Sequence, residues 1–180
     1  FNATADLINW PLVIGTMATE IYIGHWDGYA PTRNNYYFHF DEFGALSLMP
    51  WGTDQTFDRD LDFYGGRGRI FEACRDSGPC RFAFEEALVQ VMETVDALAL
   101  PMGIQARADL LLPWQEIDER SNRDPNQIAD RVQRTIDFLE RRAEGVREAL
   151  DCLFGDNPDP DQDGYLCSAD CDNDDPTIFP

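Results

Sequence analysis

The chain has no lysine. All 14 of its basic residues are arginine, set against 34 acidic ones, which gives a formal charge of -20 over 180 residues. A surface this acidic repels phosphate backbones and has no basic stripe to release counterions, so direct nucleic-acid binding is excluded and divalent cations become the natural partners. Long apolar runs are also missing. The longest, residues 7–18, is interrupted by Asn9, Pro11 and Thr16 and stops at Glu20, short of the roughly 20 residues needed to span a bilayer. No transmembrane segment is expected. Phe1 is preceded by no initiator Met or signal peptide, so the start reads as processed or as cut from a longer protein. What is present is 43% apolar residues, 12% of the chain being aromatic. That suffices for a real core at a length of one domain plus a tail.

The charge is uneven. Up to Leu150 there are 25 acids and 14 arginines, net -11; after it come nine aspartates and no base, net -9. The last 30 residues also hold Pro158, Pro160, Pro176 and Pro180 and show no helical or strand period, so they build no core of their own and are either disordered or organised by ions. Of the five cysteines, none belongs to a zinc-type Cys-x-x-Cys pair. Disulfides are the better reading. Cys74 and Cys80 bracket the turn Arg75-Asp76-Ser77-Gly78-Pro79, whereas Cys152, Cys167 and Cys171 leave one unpaired and suggest a partner beyond Pro180. An oxidising compartment is implied.

Apolar spacing predicts a helix over 4–24, with Thr4 or Asp6 as N-cap, then a loop over 25–35 broken by Gly28 and Pro31. Two alternating segments, 36–40 and 45–49, read as a hairpin closed by Asp41-Glu42-Phe43-Gly44. A polar loop over 53–69 follows. Three helical stretches complete the body: 81–99, 104–120 bent or broken at Pro113, and one after Asp124-Pro125 with apolar residues from Ile128 to Leu150 at steps of three and four. The fold class is α+β, mainly helical.

Acidic loops flank the hairpin, so Asp27 and Asn35 at its entrance and Asp54 past its exit can approach one another. A carboxylate, an amide oxygen and a second carboxylate form a hard oxygen site suited to Mg²⁺. The order of helix, His-x-Asp loop with a following Asn, hairpin and Asp is that of kinase-like enzymes. There a loop Asp takes the proton of the attacking hydroxyl while Asn and a later Asp hold the ions that neutralise phosphate. His25 reads as a structural hydrogen-bonding residue of the loop, and Trp26, Trp51, Tyr36 and Phe38 as core. Asp58, Asp60 and Asp62 read as a solvated loop in the place of a kinase activation loop. Arg33 reads either as a phosphate contact or as a surface residue.

The strings I-G-H-W-D-G-Y-A-P-T-R-N-N-Y-Y-F-H-F (residues 23–40) and L-M-P-W-G-T-D-Q-T-F-D (residues 48–58) resemble the C-terminal half of the CotH kinase family, atypical protein kinases of secreted and spore-coat proteins. The resemblance covers residues 1–153. It implies the C-lobe of a divergent kinase fold and transfer of the ATP γ-phosphate to serine of a secreted or coat protein. Asp27 would be the catalytic residue, with Asn34, Asn35 and Asp54 at the cofactor and Asn35 and Asp54 on Mg²⁺ or Mn²⁺. Many members carry Pro-Trp-Asp-x-Asp where this chain has Gly52, which leaves Asp54 as the carboxylate at that exit. The implied partners are ATP, a secreted protein substrate and an upstream N-lobe of the same polypeptide that supplies the missing lysine. The implied location is secreted or at a bacterial cell surface.

Residues 154–180 read as a second unit. Asp159, Asp161, Asp163 and Asp170 fall at positions 1, 3, 5 and 12 of a loop with Gly164 at position 6, the arrangement of a Ca²⁺ loop. Asp in place of Glu at position 12 predicts weak affinity, on the order of 10⁻⁴ to 10⁻³ M. The continuation through Asp172 and Asp174 to Pro180 resembles the Asp-rich metal-binding repeats of secreted bacterial proteins (MopE-like) and thrombospondin type 3 repeats. Two functions follow: a secreted kinase lobe, or a catalytically inactive kinase-like surface or adhesion protein with a calcium-stiffened tail.

Overall fold

The computed structural model describes residues 2–120 and 124–150, with Thr177 beyond them. Helix starts later than residue 4. Asn9 caps α1 (Trp10–Tyr22): its side-chain oxygen accepts the Leu12 N–H at 3.4 Å, and Pro11 occupies the first turn, where an N–H has no partner to lose. The residues before it are spent otherwise. After a 3₁₀ turn at Asn2–Thr4, Leu7 and Asn9 exchange backbone hydrogen bonds with Leu46 at 2.8 and 2.9 Å, so the approach to α1 pairs with the hairpin.

The hairpin is as expected, with β1 (Tyr36–Phe40) antiparallel to β2 (Leu46–Pro50) and Phe38 opposite Leu48. Its turn is tied by Asp41, whose Oδ1 accepts from Phe43 and Ala45 at 2.9 and 2.8 Å. Tyr36 and Phe38 meet Tyr29 edge to face. The outer face carries Tyr37, Met49 and Trp51. Trp51 is 52% exposed and Phe38 43%, which corrects the reading of both as core: Trp51 lies with Tyr37 on the face that no described helix covers, and Phe38, on the other face opposite Leu48, is covered only in part by Tyr29 and Tyr36. Tyr37 and Trp51 stack on each other instead, their ring centroids 6.2 Å apart.

Two short helices were not anticipated. α2 (Tyr29–Thr32) interrupts the 25–35 loop and α3 (Arg69–Arg75) precedes α4 (Gly78–Ala97), to which the Cys74–Cys80 disulfide joins it. α5 (Leu100–Ile117) is continuous through Pro113, which removes the broken alternative of the two expected there. Asp109 and Pro113 are both exposed at that turn, so water can take the carbonyl that proline leaves unbonded. α6 (Pro125–Ala149) starts on a capping box: Asp124 accepts from Asn126 N–H at 2.7 Å, and Gln127 Oε1 accepts from Asp124 N–H at 3.3 Å.

The core lies where α1 packs on α4 and β2, and α6 on α4. Met17 and Ile21 of α1, Phe84, Leu88 and Met92 of α4, and Phe138, Leu139 and Val146 of α6 are buried. α5 packs on α6 but leaves Met102, Leu110, Trp114 and Ile117 exposed. Among the described residues no single helix is long and apolar enough to cross a membrane.

Candidate functional site

The loop between α1 and β1 folds back on itself. Gly24 turns the chain at φ +64°, where a Cβ would strike the Arg59 carbonyl. Arg33 closes α2 in the left-handed region (φ 62°) and Asn35 adopts it again (φ 47°), a conformation that Asn tolerates better than most residues. These reversals bring the end of the loop onto its beginning. Asn34 Nδ2 donates to Asp27 Oδ1 and Asn35 Nδ2 to Asp27 Oδ2, both at 2.9 Å. Asp27 and Asn35 are half-buried; Asn34 is exposed.

The hairpin exit is clamped to the same point. Trp51 N–H donates to the Asn35 carbonyl at 3.0 Å, and Gly52, at φ +64°, has room for a Cβ only 3.3 Å from the Asn35 amide. Asp54 is exposed, and its Oδ2 accepts from Gln55 Nε2 at 3.1 Å. It lines a polar cleft of about 550 Å³ together with Asp58, Arg131 and Arg134. Three of the four residues expected at this site are therefore hydrogen-bonded to one another, while Asp54 faces the arginines of α6. Among the described residues no three His, Cys, Asp or Glu side chains converge to hold a metal. A cation here would depend on the Asn35 amide oxygen, the Asp54 carboxylate and oxygens brought by phosphate or water. That donor set has the chemistry Mg²⁺ prefers.

Behind the loop are groups that sequence reading missed. Glu20 is 2% exposed, and its carboxyl accepts the N–H of Tyr29 at 3.2 Å and of Ala30 at 2.8 Å. Burial pushes its pKa up to about 7, against the pull of those two hydrogen bonds. His25 is fully buried with Nδ1 3.9 Å from Glu20 Oε1, and neither ring nitrogen has a hydrogen bond. The ring is thus not the hydrogen-bonding element expected; its backbone is, donating to Glu20 O and accepting from Gly28 N. Gly28 fits because a Cβ would lie 2.8 Å from both Glu20 Cδ and His25 Nδ1. One signal was available: Glu20 is the sole charged residue in α1.

The acidic loop over 53–69 wraps this unit. Phe57 N–H donates to Ile23 O at 2.8 Å, the Arg59 guanidinium lies 4.1 Å from the centre of the Trp26 ring, and Arg67 and Gly68 N–H donate to Ala30 O at 2.9 and 3.0 Å. Arg142 of α6, 5% exposed, donates to the carbonyls of Ile21, Tyr22 and Leu61 at 2.8, 3.1 and 2.8 Å. It satisfies the C-terminal carbonyls of α1 and pins the loop in one stroke. Burial lowers its pKa, opposed by Asp60, Tyr22 and Asp62. A second buried acid, Glu85, accepts from Tyr64 Oη at 2.7 Å and Arg81 Nε at 2.9 Å. Asp58, Asp60 and Asp62 are exposed, as expected of a solvated loop, and Arg33 is exposed beside the Asp27 loop.

Asp159, Asp161, Asp163, Asp170, Asp172 and Asp174 lie outside the described residues, as do Cys152, Cys167 and Cys171. No family model matches the chain, and no curated protein matches it.

Proposed function

We propose that the chain is the C-terminal lobe of a secreted phosphotransferase of the CotH kinase type, acting on serine of a secreted or coat protein. The observation that carries the reading is the Asp27 carboxylate gripped by Asn34 and Asn35 at the mouth of the hairpin. Each carboxylate oxygen accepts one amide N–H and keeps a lone pair. Asp27 is thereby oriented as a base: it takes the serine hydroxyl proton as that oxygen bonds to the γ-phosphorus and ADP leaves. Asn35 spends its Nδ2 on Asp27, which leaves its amide oxygen for Mg²⁺ or Mn²⁺, with Asp54 as the second protein ligand. When bound, the ion neutralises phosphate charge. The Cys74–Cys80 bond supports an oxidising, extracellular setting. The aspartates of residues 154–180 would bind Ca²⁺.

Without a lysine, the lobe needs an N-terminal partner lobe to pair the nucleotide phosphates, and it does not phosphorylate alone. The test is autophosphorylation by the full-length protein with labelled ATP and Mg²⁺ or Mn²⁺. Asp27→Ala is expected to abolish the signal; equal signal from both would overturn the role given to Asp27.

Gly52 favours a second reading, an inactive kinase-like surface or adhesion protein. Its positive φ and its place against the Asn35 amide put a bare backbone where the related motif carries a carboxylate. If the full-length protein neither transfers phosphate nor binds Mg²⁺ until Gly52→Asp is introduced, this second reading holds.

A further inference from the structure

We infer that the outer face of α5 is a dimer interface, on which a second copy of this chain docks with the two α5 helices parallel. α5 is apolar on two opposite sides. Ile104, Ala108 and Leu112 recur at steps of four and are half-buried, and α5 packs on α6. Met102, Ala106, Leu110 and Trp114 repeat that spacing two residues out of phase, which sets them about 200° round the helix. These four are exposed, and Ile117 extends their row; each of the large side chains shows at least 67% of its surface. A helix apolar all round belongs in a core. Among the described residues only one side of α5 has that cover.

Three observations favour a second copy as the occupant. First, the uncovered side chains of the row come to roughly 600 Å², so two copies together would bury about 1,200 Å², the size at which stable interfaces begin. Second, the charges beside the row are self-complementary. Arg107 and Asp109 are also about 200° apart and stand on opposite edges of it. Neither has an ion pair among the described residues: Arg107 Nη1 donates to Gly103 O at 3.1 Å, and Asp109 Oδ1 accepts from Gln105 Nε2 at 2.8 Å. A parallel two-fold pairing brings each edge against the opposite edge of the other copy, so both arginines lie beside the partner's Asp109. Antiparallel pairing would set Arg107 against Arg107. Third, Ala106 is the small residue at mid-row, between Met102 and Leu110, and lets two helix axes approach to the roughly 8–10 Å of packed helices.

A membrane surface is the poorer fit. Helices that lie in a lipid interface carry a polar face rich in Lys and Arg, whereas α5 has Arg107 as its sole base beside Asp109 and Glu116, in a chain of charge -20.

The test is sedimentation equilibrium of the 180-residue chain over a concentration series, with binding to phosphatidylcholine vesicles measured in parallel. A monomer–dimer equilibrium with a micromolar Kd is expected, and no vesicle binding. Leu110→Arg, at a position exposed in the fold, should keep the circular dichroism of the folded chain and weaken the dimer by about tenfold or more. Arg107→Glu should weaken it by about fivefold, and adding Asp109→Arg should restore it, because the two edges then exchange sign together. A chain that stays monomeric at hundred-micromolar concentration overturns the inference, and a monomer that binds vesicles unless Leu110 is replaced assigns the row to a membrane instead. A dimer undiminished in folded Leu110→Arg, or one that Arg107→Glu does not weaken or Asp109→Arg does not rescue, overturns it too.

Discussion

The loop between α1 and the hairpin has two faces, each built on a carboxylate. At the back, Glu20 is buried and holds the backbone of Tyr29 and Ala30. In front, Asp27 is half-buried and held by two side-chain amides. The difference is one of direction. Glu20 gives its hydrogen-bonding capacity to the fold, so removing it leaves two buried N–H groups unpaired; Asp27 receives support and keeps lone pairs free for something else. Buried charge here positions, and half-exposed charge is available for chemistry. Arg142 extends the rear face, since its three bonds to carbonyls of α1 and the 53–69 loop make it the counterpart of Glu20 from α6.

If that contrast is right, the largest loss comes from Arg142→Met. Three carbonyls near the core would lose the guanidinium, Ile21 O keeping only the longer bond from Gly24 N–H at 3.3 Å, and urea unfolding should register a loss of about 3–5 kcal/mol. A value near zero would break the contrast at once.

Glu20 should appear as a pH dependence. Its carboxyl titrates near 4.5 when free and near 7 in the fold. Below 4.5 both states are protonated and burial carries no charge penalty. Between 4.5 and 7 the unfolded chain ionises first, so stability falls as pH rises and levels off above 7. The full loss is about 3 kcal/mol. Glu20→Gln should flatten that slope; an identical slope in the variant would show that Glu20 is not the titrating group.

Replacing Cys74 and Cys80 together by alanine opens a short loop and should cost about 2 kcal/mol in thermal or urea unfolding. The front face should be cheaper still. Asp27→Ala is expected to change stability by no more than about 1 kcal/mol while abolishing phosphotransfer by the full-length protein. At the bottom of the scale, Arg147→Ala removes an exposed pair with Asp96 at 3.1 Å and should cost less than about 0.5 kcal/mol, within the error of unfolding curves.

Much of the front face was legible in the chain. Asp27, Asn34 and Asn35 lie within nine residues, and contacts that short in sequence are set by local turns. The hairpin and α6 were legible for the same reason: alternation marks the strands, and Asp124-Pro125 announces the cap. Asp54 stands apart. It lines a cleft with Arg131 and Arg134 of α6, a neighbourhood that its spacing from the hairpin does not announce.

The sequence by itself determined the hairpin, the cap of α6, the Cys74–Cys80 pairing and the grip on Asp27, each a matter of residues close along the chain. Only the tertiary structure decided that Glu20 would be buried under α2, that Arg142 would cross about 120 positions to reach Ile21 and Tyr22 and that His25 would be buried behind the Asp27 loop. Those outcomes depend on which helices pack together, and a charged residue on an otherwise apolar stripe does not reveal its partner until the packing has chosen one.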